Sequence, residues 1–106
     1  MKKGPDWAKG RFYLDPAISD PAALRRKVMR RKASPFLYLV TLSCTEGNML
    51  ELIPACFLNQ SYLRNRCPLI VGMAKGKSAA ISLVEQILSE ALAETGDCRV
   101  DAVWFQ

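Results

Sequence analysis

Hydrophobic and polar positions follow segments of different period along this chain. From Ala79 onward the spacing is helical: Ile81, Val84, Leu88, Ala91 and Leu92 form one stripe. Ser82, Glu85, Gln86, Ser89 and Glu90 lie largely away from it, and Gly96 supplies a left-handed cap that ends the helix. The preceding segment, Leu69 to Ala74, is apolar on both faces, the pattern of a central strand. From Cys98 to Phe105, Cys98, Val100, Ala102 and Trp104 fall on one face and Arg99 and Asp101 begin the opposite one, which predicts a last strand. Residues 69–105 therefore read as strand, glycine turn, helix and strand, with the two strands parallel neighbours across a right-handed crossover.

Upstream, Phe36 to Thr45 is the clearest strand by composition, with Phe36, Tyr38, Val40, Leu42 and Cys44 on one face. Glu46, Gly47 and Asn48 make a turn, and Met49 to Ile53 return as a short strand. Pro54 then opens a helix over Ala55 to Asn65, with Phe57, Leu58 and Tyr62 inward. The alternative is one helix from Met49 kinked at Pro54. Near the start, Ser19 or Asp20 caps a helix over Ala22 to Ala33 whose first turn accommodates Pro21. Ser34 before Pro35 ends that helix, because a residue preceding proline avoids the helical region. Its apolar stripe is thin, chiefly Leu24, Val28 and Met29. Residues 1–19 look irregular, although Trp7, Phe12, Tyr13 and Leu14 are apolar enough to dock on the domain or on a partner. The fold class predicted is α/β, or α+β: a two-layer sandwich with a mixed sheet of three or four strands and helices mainly on one face. Residues 1–34 form a basic leader with one helix, and 35–106 the small α/β domain.

Charge sharpens that division. Residues 1–34 hold ten Lys/Arg against three Asp, a net +7, while 35–106 hold five against seven acids, a net −2. The leader's cations concentrate on one helix: Arg25, Arg26, Lys27, Arg30, Arg31 and Lys32, with no acid between Asp20 and Glu46. With Trp7, Phe12 and Tyr13 nearby they suit a nucleic-acid backbone or an acidic protein surface. A solvated helix face is the plain alternative. A second candidate is the turn Lys75, Gly76, Lys77 and Ser78, where a helix N-terminus offers N–H groups and a hydroxyl to an anion. Gly72 to Ser78 resembles the phosphate-binding loop of P-loop nucleotidases but is one residue short between its glycines, which argues against nucleotide hydrolysis.

The chain contains no histidine, so His-based triads, Cys–His dyads and histidine metal sites are excluded. Cys44, Cys56, Cys67 and Cys98 are spaced by 12, 11 and 31 residues and form no Cys-x-x-Cys pair. They read as reduced thiols of a cytoplasmic protein. The adjacent Arg64 and Arg66 suggest a lowered thiol pKa at Cys67. No metal, cofactor or membrane span is implied, and an enzyme is less expected than a binding module. Association into a homo-oligomer through an exposed strand edge, 98–105 or 36–45, is a further expectation. Val71-Gly72-Met73-Ala74-x-Gly76, followed by a helix ending in Thr95-Gly96, resembles a pattern in small uncharacterised bacterial proteins. It covers roughly the last seventy residues, supports the strand–helix reading, and carries no activity.

Overall fold

The computed structural model describes residues 5–43 and 49–106. Cys44 and the expected turn at Glu46, Gly47 and Asn48 lie outside the described residues. The elements are β1 (Tyr13–Leu14), α1 (Pro21–Met29), β2 (Leu37–Leu42), β3 (Leu50–Pro54), a 3-10 helix (Ala55–Asn59), α2 (Ser61–Asn65), β4 (Ile70–Lys75) and α3 (Lys77–Thr95). The strands form one mixed sheet in the order β1-β4-β2-β3, which bears out the α+β expectation. β1 runs parallel to β4, while β2 is antiparallel to both β4 and β3.

A bulge in β4 explains why its sequence looks apolar throughout. Val40 pairs with Gly72 and Thr41 with Ile70, leaving Val71 as the extra residue. The extra residue shifts the phase of alternation. Val71 and Ala74 then join the core under α3, and Ile70 and Met73 join the core on the opposite face. Gly72 is required by close approach. A Cβ there would sit 3.1 Å from the Tyr13 carbonyl oxygen and 3.4 Å from Leu83 Cδ1. α3 covers one face of the sheet through Ala80, Leu83, Ile87 and Ala91. The other face is closed by Val28 of α1 and by Ala55 and Leu58 of the 3-10 helix.

Four expectations are corrected. First, residues 98–105 form no strand. Asp101 takes the Trp104 N–H on both its carbonyl and its Oδ1, each at 3.1 Å, which folds 101–105 into turns. The parallel neighbour of β4 is β1 instead, and Val100 and Phe105 plug the core from the tail. Second, α3 presents a different face from the one expected. Of the expected stripe Ala91 is buried, Val84 and Leu88 are half-buried, and Ile81 and Leu92 remain 43% and 50% exposed, while Ala80, Leu83 and Ile87 supply the rest of the buried face. Small residues at 80 and 91 let the helix come close, and the bare Gly72 leaves room for Leu83. Third, the helix expected over 55–65 is two short pieces, because Gln60 is extended (φ −95°, ψ 129°). The break turns Phe57 and Tyr62 outward, and Leu58 alone of the expected trio is buried.

Fourth, α1 ends at Met29 rather than near Pro35, and Met29 is exposed. The helix starts as expected, with Asp20 Oδ1 accepting the Ala23 N–H at 3.1 Å and Pro21 in the first turn. Its end is a Schellman motif: the Lys32 N–H reaches the Lys27 carbonyl at 2.8 Å and the Arg31 N–H reaches Val28 at 3.1 Å. Arg31 occupies the left-handed position (φ 62°) that glycine would usually fill. A distant element also binds the carbonyls at this end. Arg64 of α2 is buried, and its guanidinium donates to the carbonyls of Val28 (2.8 Å), Met29 (2.6 Å) and Leu58 (3.3 Å). A cation there also complements the negative end of the helix dipole.

Candidate basic face

Arginines in this fold divide into those held by the structure and those left to solvent. Arg25 stacks on Phe12 (4.3 Å) and Trp7 (4.8 Å), fastening α1 to the N-terminal segment. Arg11 makes two hydrogen bonds to Glu94, at 2.7 and 2.8 Å, and lies 4.0 Å over the Trp104 ring. The pair holds the Glu94 carboxyl below its usual range, chiefly through the hydrogen bonds from Arg11. Arg66 stacks on Tyr62 at 4.6 Å. By contrast, Arg26, Lys27, Arg30, Arg31 and Lys32 are exposed and make no side-chain hydrogen bond or ion pair among the described residues.

The six cations read from the sequence are thus not equivalent. Arg25 belongs to the fold and the other five to the surface. The aromatic residues expected beside them are also divided. Trp7 and Phe12 carry Arg25, whereas Tyr13 turns toward α3, where its hydroxyl donates to Glu90 at 2.6 Å. Burial, together with that hydrogen bond, pushes the Tyr13 phenol up to about 12. An open groove of about 1040 Å³ runs beside Trp7, Phe12, Arg25, Leu69 and Phe105, with Lys9 at its rim.

The second candidate, Lys75 to Ser78, caps the other end of β4. Gly76 is the N-cap of α3 (φ 100°, ψ 156°), a conformation strained for any residue with a side chain, and no side chain caps the helix. Lys75, Lys77 and Ser78 are exposed. Two amides of the turn are already engaged: the Lys75 N–H donates to Asp15 Oδ2 at 3.0 Å and the Gly76 N–H to the Phe36 carbonyl at 2.9 Å. Asp15 is buried and fixes the turn that follows β1 through its other oxygen, 3.0 Å from the Ala17 N–H.

That Phe36–Gly76 bond ties the turn to the start of β2, a short chain distance after the basic segment. Four residues beyond Lys32, the chain meets the β4–α3 turn, and Leu37 pairs with Lys75 across the sheet. Phe36 itself has 78% of its surface exposed. Sequence reasoning put Phe36 on one strand face with Tyr38, Val40 and Leu42, whereas the strand begins at Leu37 and Phe36 precedes it. It also missed Arg64, for which a lone cation in a short apolar helix was the available signal. Cys67 reverses the expected direction. Burial pushes its thiol up to about 11, against the pull of Arg64, and its Sγ lies 3.2 Å from the Pro68 carbonyl.

Among the described residues no group of His, Cys, Asp or Glu is arranged to hold a metal ion, and no helix is long and apolar enough to cross a membrane. A scan against protein-family models, a search of curated proteins and a search of solved structures each found no match to the chain.

Proposed function

We propose that the protein is a non-enzymatic binding module that holds a single-stranded nucleic acid on the basic face formed by α1, the segment after it and the β4–α3 turn. The observation that carries this is the exposed ring of Phe36, four residues after Lys32, whose carbonyl accepts the Gly76 N–H of the turn. Cations that release counterions from phosphates supply affinity without sequence preference, and an exposed aromatic adds stacking on an unpaired base. Residues 21–45 contain no Asp or Glu to neutralise the face from within. An acidic protein surface is the rival partner, since it would use the cations but gain less from Phe36. Among the described residues Cys56, Cys67 and Cys98 are unbridged, which supports a reducing, cytoplasmic setting.

Titrating a labelled single-stranded oligonucleotide at several salt concentrations tests the proposal. Binding should weaken steeply with salt. The triple change Arg26→Gln, Arg30→Gln, Arg31→Gln should flatten the slope of log K against log salt by roughly 0.7 per lost phosphate contact. Phe36→Ala should cost about 1–3 kcal/mol at every salt concentration. Polyglutamate competing as well as the oligonucleotide, with Phe36→Ala neutral, would move the assignment to an acidic protein. Absence of salt-sensitive binding to either would end it. A phosphate site in the turn alone has less support, because Asp15 and Phe36 already take the Lys75 and Gly76 amides.

A further inference from the structure

Three parts of the chain build the groove beside Trp7, and backbone bonds hold two of them together. The Asp6 carbonyl takes the Ile70 N–H at 2.9 Å and the Ala8 N–H reaches the Ile70 carbonyl at 2.8 Å, which ties the N-terminal segment to the start of β4. The Gly10 and Arg11 amides both donate to the Phe105 carbonyl, at 3.1 and 2.9 Å, and hold the tail against that segment. Gly10 is needed for this approach, because a Cβ there would clash with the Gln106 backbone. The third part is α1, which contributes Arg25. A groove fixed in this way asks for little ordering when a ligand enters.

The lining combines rings with cations that have nothing to bind. Trp7 and Phe12 are half-buried and line the groove together with Lys9 and Arg25. Arg25 is also half-buried, held over the Phe12 and Trp7 rings at 4.3 and 4.8 Å. Those contacts orient the guanidinium without using its donors, and no Arg25 side-chain N–H has an acceptor among the described residues. Lys9 is exposed, and its ammonium is likewise unpaired among them. A guanidinium fixed on rings and lacking an acceptor is matched by a phosphate, which takes two N–H groups side by side. Asp6 carries the one acidic side chain of the lining, and a carboxylate suits the N–H edge of a base rather than a phosphate.

We infer that this groove is a nucleotide site, with the phosphate on Arg25 and Lys9 and the base against Trp7 and Phe12. An apolar ligand would leave the two cations unmatched, and a lone phosphate would leave the rings unused. A nucleotide engages both. The groove, at about 1040 Å³, has the room for a base with its sugar and phosphate. The site goes beyond the stacking assigned to Phe36, because its residues come from the N-terminal segment and the other side of α1's sequence stripe. The same chemistry is offered by a free nucleotide and by one unit of a strand on the basic face, and only the second source rests on the proposed function.

Titrations of the full chain with adenosine monophosphate, adenosine and a short oligonucleotide, followed by amide NMR, test the site. Adenosine monophosphate should bind saturably and shift the amides of Trp7, Ala8, Lys9 and Arg25. Adenosine, which lacks the phosphate, should bind about tenfold or more weakly. Lys9→Gln, at an exposed position, should weaken the nucleotide by about fivefold, and Arg25→Gln by about tenfold, with thermal unfolding run alongside. An oligonucleotide that moves the same amides and binds more tightly than the mononucleotide makes the source a strand. A mononucleotide bound at least as tightly makes it a free nucleotide. An oligonucleotide that moves the Arg30 and Phe36 amides, with no response in the groove to it or to adenosine monophosphate, overturns this inference and keeps the proposed function. A groove that fills while the Arg30 and Phe36 amides stay still does the reverse. Adenosine bound as tightly as its monophosphate, or no loss of binding in Lys9→Gln, overturns the site.

Discussion

Arg64 and Arg30 carry the same guanidinium and sit at the same end of α1, yet the fold uses them in opposite ways. Arg64 is buried with three carbonyls around it and no carboxylate, and loss of water lowers its pKa, with the Arg31 charge adding to that effect. Arg30 is exposed and unpaired among the described residues. The difference lies in desolvation. A buried donor is costly to leave unmatched and its removal strands its acceptors, whereas an exposed cation on a solvated face contributes almost nothing to folding. Stability therefore rests on Arg64, while the proposed binding would rest on Arg30.

The sharpest way to break this contrast is to exchange the two losses. Arg64→Leu should destabilise the protein by about 2–4 kcal/mol, since three carbonyls lose a charged donor, with Arg64→Lys recovering part of it. Arg30→Gln should stay within about 0.5 kcal/mol. Urea unfolding measures both. The salt slope of oligonucleotide binding should respond in reverse, falling for Arg30→Gln and unchanged for Arg64→Leu measured well below its unfolding midpoint. A neutral Arg64→Leu would mean that α1 ends without its help.

α3 offers the same contrast between apolar residues. Ile87 is fully buried and Leu92 is 50% exposed, although both belong to apolar rows of one helix. Ile87→Ala should cost about 2–4 kcal/mol and Leu92→Ala under about 1 kcal/mol by thermal or urea unfolding. Equal costs would place the helix on the row that its sequence first suggests.

That ambiguity shows where the sequence was legible. The row 81, 84, 88, 92 and the row 80, 83, 87, 91 are both apolar, so periodicity fixes the helix but not which flank meets the sheet. Gly72, Ala80 and Ala91 decide it, through a closeness of approach that only the assembled fold reveals. β4, β2 and the Gly96 cap were legible because each is a local signal. The tail was not, since the alternation of Cys98 to Phe105 fits a strand until Asp101 binds the Trp104 N–H and β1 takes the neighbouring edge. The basic face was legible as composition. Its joining to the β4–α3 turn depends on the Gly76–Phe36 bond, a contact distant in sequence.

Arg31 sharpens the comparison on a smaller scale, because its backbone and its side chain answer to different requirements. Its φ of 62° costs a side-chain-bearing residue energy that glycine does not incur. Arg31→Gly should therefore leave stability level or raise it by up to about 1 kcal/mol, against the greater freedom of the unfolded chain. It should also remove one cation from the proposed binding face. A clear loss of stability would show that the side chain, and not the backbone geometry, keeps arginine there.

The thiols extend the contrast of held and free groups to reactivity, with the least effect on folding. Cys98 is exposed, whereas burial holds Cys67 near 11. At pH 8 a thiol with that pKa is almost wholly protonated, so iodoacetamide should modify the exposed Cys98 well before Cys67. The sign of the linked stability follows. A folded pKa raised above the unfolded one stabilises fully below about 8.5, and that contribution is lost as pH climbs toward 11. Tyr13, pushed up to about 12, continues the loss above pH 10. Glu94 acts in the acid direction, since its lowered pKa adds stability above the usual carboxylate range that disappears as pH falls through it. Mass spectrometry of timed alkylation reads the first effect, and unfolding midpoints between pH 8 and 11 read the second. Simultaneous modification of Cys67 and Cys98 would place Cys67 at the surface and remove the basis for its alkaline destabilisation.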